Sequence, residues 1–82
     1  MKLTEFIDGL KIRLVGLTDV AYDDEKLQAK HRLLVVLHYD LLKTLSLLVG
    51  NEDPYPLVVA MDIVSEIEQT SKEMAALREN GA

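Results

Sequence analysis

Residues 27–49 read LQAKHRLLVVLHYDLLKTLSLLV, and just over half of them are Leu or Val. Leu27, His31, Leu34, His38, Leu41, Leu45 and Leu48 recur in alternating steps of four and three, the spacing of a packed helix seam. Leu33, Leu37, Leu42 and Val49 read as a second apolar stripe beside it, and the polar remainder (Arg32, Tyr39, Asp40, Lys43, Ser46) is narrow. A surface helix shows an apolar face about 100° wide, whereas a helix apolar all round is buried. This segment lies between the two, so it is expected to touch more than one neighbour. A strand over residues 33–37 is the competing reading, but the helical period runs on without Gly or Pro. A membrane span needs about 18 or more nearly uninterrupted apolar residues, and His38, Asp40 and Lys43 interrupt this one.

Both ends of the segment carry signals. Asp23 is the expected N-cap, Asp24 and Glu25 suit the positive helix end, and Tyr22 with Leu27 fits a hydrophobic staple. Gly50 suits the left-handed position after the last turn. The helix is expected over about residues 24–49.

Upstream, Leu3, Ile7, Leu10, Leu14 and Leu17 keep the same steps, which predicts a helix over about residues 2–17. Gly9 weakens it, and the alternation over residues 10–15 leaves a short strand as the alternative. Downstream, NEDPYP at residues 51–56 is the clear break, with Asp53 as cap and Pro54 in the first helical position. A third helix is expected over about residues 54–79. Its seam is Ala60, Ile63, Ile67, Thr70, Met74 and Leu77, which Val59, Met61 and Val64 widen near the start.

A short link between two long helices implies an antiparallel hairpin. Folding back near Gly50 sets residue i opposite roughly residue 103 − i, which brings Lys30 near Glu73 and Lys43 near Asp62. The expected fold is all-α: a single small domain over residues 1–82, an antiparallel hairpin of two long helices plus a shorter N-terminal helix. Two helices cannot cover both stripes of the central one, and the first helix covers only part of the excess. A second copy is expected to cover the rest, giving a dimeric bundle.

An 82-residue chain without cysteine has no disulfide or thiolate metal site to reinforce it. Glu5 and Asp8 break any signal-like apolar run near the start, and the expected location is the cytoplasm. Net charge is −5, all of it from residues 44–82, where Lys72 and Arg78 face seven carboxylates. That balance argues against a general nucleic-acid binder, and nucleic acid is an unfavoured partner.

Several clusters invite a sharper reading. His31 and His38 share one stripe but stand two turns apart, too far to meet on one ion from a single helix. They read as seam histidines rather than a metal or pH site. Asp62, Glu66, Glu68 and Glu73 read as an acidic face for docking a basic partner, with a solvated helix face as the plainer alternative. Tyr55 between two prolines suits either recognition or packing on a helix end. Lys11, Arg13, Lys26, Lys30 and Arg32 are the only basic group, diluted by residues 23–25. No nucleophile–base arrangement, phosphate loop or metal motif occurs in the sequence. No catalytic residue, metal or cofactor is therefore expected, nor is the chain expected to be an enzyme.

The expected function is a non-catalytic protein-binding module, a small helical homodimer that regulates, inhibits or chaperones another protein. Leu33, Leu37, Leu42 and Val49 are its expected self-association or partner surface, and no membrane is involved. The alternative is a nucleic-acid-linked regulator, by direct binding or by phosphate mimicry through the acidic face.

Overall fold

Apolar residues at three- and four-residue spacing become helix along the described chain. The structure, a computed structural model, describes residues 2–50 and 55–80, the side chain of residue 80 excepted. It contains α1 (Leu3–Thr18), α2 (Glu25–Leu48) and α3 (Tyr55–Asn80), with no strand among the described residues. Residues 10–15, the candidate strand, lie inside α1, where Ile12 is exposed along with Lys11 and Arg13, so the alternation has no inner and outer side. The Asp53 cap and Pro54 lie outside the described residues.

The start of α2 differs from the sequence expectation by one residue. Asp24, not Asp23, is the N-cap: its backbone is extended and its Oδ1 accepts from Leu27 N–H at 2.9 Å. Gln28 secures this register by reaching back, its Oε1 accepting from Tyr22 N–H at 2.7 Å. A cap one residue earlier would put Leu27 beyond the third helical amide that such a carboxylate takes. Tyr22 still packs against the Leu27 cluster, so the apolar contact survives outside staple register. At the other end Val49 is extended and Gly50 takes φ +77°, a conformation that costs a residue without Cβ little.

Helix α2 packs against both other helices, whereas α1 and α3 bring no Cα atoms within 8 Å of each other. Two buried clusters result. The first joins Ile7 and Leu10 of α1, Leu41 and Leu45 of α2 and Ala60 of α3. The second joins Leu27 and Leu34 to Met74, with Leu17, Tyr22, Ile67 and Leu77 around them. Every α2 seam residue from Leu27 to Leu45 is buried, His31 and His38 included. Lys30 Nζ of α2 donates to Glu73 Oε2 of α3. Lys43, expected near Asp62, instead lies 5.4 Å above the Tyr39 ring, so its cation is held by its own helix.

The body measures 47 × 22 × 19 Å with a radius of gyration of 14.2 Å. A compact chain of this length would give about 12 Å. The elongation follows from helices of about 36–39 Å laid along one another.

Candidate interaction surface

The central helix decides what is left outside. An α-helix turns about 100° per residue, so the five-residue step from Leu37 to Leu42 swings about 140° off any line. The structure accordingly divides the expected second stripe. Leu37 is buried at 6% exposure, and Leu42 is half-buried against the first cluster. Leu33 and Val49 are exposed. These four side chains flank the seam on different sides and make no single surface.

The acidic face divides for the same reason. Asp62 and Glu66 are exposed, but Glu68 lies about 200° beyond Glu66, on the other flank of α3. Glu73 is half-buried and engaged, accepting from Lys30 and, at 3.3 Å, from Gln69 Nε2. The Lys30 ammonium first, and the Gln69 amide second, hold its carboxyl below the ordinary value. The little desolvation it suffers acts the other way. Tyr55 stands exposed at the start of α3.

The two histidines are held by backbone carbonyls. His38 Nδ1 donates to Leu34 O at 2.8 Å, one turn back in its own helix. His31 Nε2 donates to Leu17 O in the last turn of α1 at 2.7 Å, and its ring meets Tyr22 edge-on at 5.2 Å. Because a carbonyl only accepts, the proton sits on Nε2. His31 Nδ1 is then a buried acceptor without a hydrogen-bond partner among the described residues. No three His, Cys, Asp or Glu side chains among the described residues come together to hold a metal ion.

Among the described residues two apolar recesses stand out, and neither is built from the expected stripe. One, of about 330 Å³, runs between α1 and α3: Phe6 forms one wall, Leu57, Met61 and Val64 the other, and Leu41 and Leu45 the floor. It exists because α1 and α3 stand apart above α2. The other, of about 430 Å³, lies where Leu17 and Val20 meet Gln28, His31, Arg32 and Val36 on the flank of α2. The signal for the first was present in the sequence: Leu57, Met61 and Val64 are spaced four and three along α3. Sequence reasoning assigned Met61 and Val64 to the seam that faces α2 and left Leu57 unassigned. Only the position of α1, carrying Phe6, shows them to be a separate wall.

No helix among the described residues is long and apolar enough to cross a membrane. Comparison with known protein families, curated proteins and solved structures finds no match to this chain.

Proposed function

We propose that this chain is a non-catalytic protein-binding module of the cytoplasm, a homodimer that regulates, inhibits or chaperones another protein. In this reading α2 and α3 form an antiparallel hairpin, α1 lies antiparallel on α2, and two copies complete a helical bundle. The hairpin direction is supported by the pairings: early α2 (Leu27, Leu34) clusters with late α3 (Met74), and late α2 (Leu41, Leu45) with early α3 (Ala60). The Lys30–Glu73 bond fits the same direction.

The observation that carries the function is the amount of large apolar side chain left outside. Ile12, Val15, Val36, Leu47, Leu57, Val58 and Met61 are all about half exposed or more. Single exposed apolar residues are ordinary, but so many on so small a chain mark an interaction surface. The divided acidic face weighs against phosphate mimicry, since one of its four carboxylates is tied to Lys30 and another lies on the far flank.

Sedimentation equilibrium at micromolar concentration tests the assembly. Twice 9.2 kDa is expected, and a lone 9.2 kDa species would overturn the homodimer. Filter binding at low salt tests the function class. No retention of DNA or RNA is expected, and salt-sensitive retention would favour the nucleic-acid reading instead.

A further inference from the structure

We propose that the groove between α1 and α3 is the seat of a second copy of this chain, in a two-fold arrangement that brings Arg13 of each copy to Glu68 of the other. This rests on the homodimer reading and specifies its surface.

In the groove all three helices leave apolar surface around a common hollow. Its floor, Leu41 and Leu45, belongs to the first buried cluster, so an occupant would extend an existing core. Its walls are open: Phe6 is 42% exposed, Leu57 49% and Met61 64%.

The lips of the groove carry opposite charges. Arg13 follows Phe6 by seven residues on the same flank of α1, and Glu68 follows Met61 by seven on the same flank of α3. Both are exposed, and neither has an ion pair or hydrogen bond among the described residues. With α1 and α3 running the same way, the two charges sit about two turns along at one level. An isologous interface must be complementary to itself. A face with one positive lip, one negative lip and an apolar centre meets that condition when turned about an axis along the groove. A strongly basic or strongly acidic partner would meet its own sign at one lip.

Shape agrees with charge. Gly9 has nothing within 4 Å of where a Cβ would stand, and a recess of about 230 Å³ opens there between Phe6 and Arg13. Met61 is the most exposed apolar side chain of the opposite wall. One copy therefore offers both a hollow and a projection. Asp62 and Glu66, which contribute to the net charge of −5, lie on the other flank of α3 and do not oppose the approach. The long faces of a 47 × 22 × 19 Å body measure about 900–1,000 Å² in outline, against the roughly 800 Å² per partner of a standard interface.

The test is the dimer dissociation constant of the full chain, by sedimentation, with circular dichroism checking that each variant stays helical. Met61→Glu is expected to weaken the dimer at least about 100-fold, and Ala29→Glu, on the exposed outer face of α2, to leave it unchanged. Arg13→Glu and Glu68→Arg alone are each expected to weaken it about tenfold, and the double exchange to restore it. A Met61→Glu protein that dimerises like wild type overturns the groove assignment and leaves the homodimer standing. A double exchange no tighter than the single variants overturns the Arg13–Glu68 register. A wild type that stays monomeric overturns both readings and leaves the groove to a different protein.

Discussion

The two buried clusters share α2 and differ in how they are finished. The Leu27–Leu34–Met74 cluster is surrounded by polar detail: the Asp24 cap, the Gln28–Tyr22 bond, the His31–Leu17 bond and the Lys30–Glu73 pair. Near the Ile7–Leu10–Leu41–Leu45–Ala60 cluster the side-chain bonds between described residues stay within α2, from Thr44 to Asp40 O and from Ser46 to Leu42 O, and the cluster opens into an apolar groove. One region is specified by directional bonds and is closed between α2 and α3, where Met74 is 2% exposed, its recess lying on the flank of α2 away from α3. The other has apolar capacity to spare and can be finished by another chain. Hydrogen bonds fix register at modest net energy, whereas burial supplies driving force without direction.

Substitutions in each region sharpen or break this contrast, and urea midpoints at fixed protein concentration measure them. Leu41→Ala, at 3% exposure the most buried leucine, removes the middle of the open cluster. It is expected to cost about 2–5 kcal/mol, the largest effect here. A loss under 1 kcal/mol would mean that the open cluster carries little of the fold. His31→Phe keeps the ring and its edge contact with Tyr22 but leaves Leu17 O without its donor. It is expected to cost about 1–3 kcal/mol, and an unchanged midpoint would deny that the closed region depends on directional bonds. Asp24→Ala removes the α2 cap and is expected to cost about 1 kcal/mol, while Asp23→Ala changes little. Equal effects would return the cap to Asp23.

The smallest effect is the pH dependence of the Lys30–Glu73 pair. The folded pKa of Glu73 is lowered, so the pair's contribution is complete above the ordinary carboxylate value and fades as pH falls through the lowered one. Both side chains are partly solvated, so the contribution is small. Lys30→Ala is expected to flatten the urea midpoint slightly between pH 7 and pH 3. A variant as acid-sensitive as wild type would assign the dependence to other carboxylates.

Seam residues were the most legible part of the sequence. The steps from Leu27 to Leu45 and from Ile7 to Leu10 come out buried because three- and four-residue steps return to one line of a helix. Lys30 beside Glu73 was legible too, from the pairing expected of a chain folded back near Gly50, whereas Lys43 beside Asp62, expected on the same ground, does not form. What escaped is what depends on angle or on the third helix. Leu33, Leu37, Leu42 and Val49 looked alike in composition, but the five-residue step separates them. Glu66 and Glu68 looked adjacent, yet lie across α3 from each other. The choice between Asp23 and Asp24 turned on Gln28 reaching Tyr22, a contact that propensity alone does not rank. The groove depends on where α1 lies on α2, and no local pattern encodes that.

The bond from His31 to Leu17 O also bears on the order in which the molecule opens. Helix α1 has no basic residue in its last turn and no side-chain cap at its start, and Gly9 and Gly16 lie within it. Its only described tertiary hydrogen bond comes from α2. These features predict that α1 opens before the α2–α3 pair. In hydrogen exchange its amides would lose protection together and ahead of those in the middle of α2. Such an opening would uncover Leu41 and Leu45 and convert the groove from a cleft into a broad apolar face.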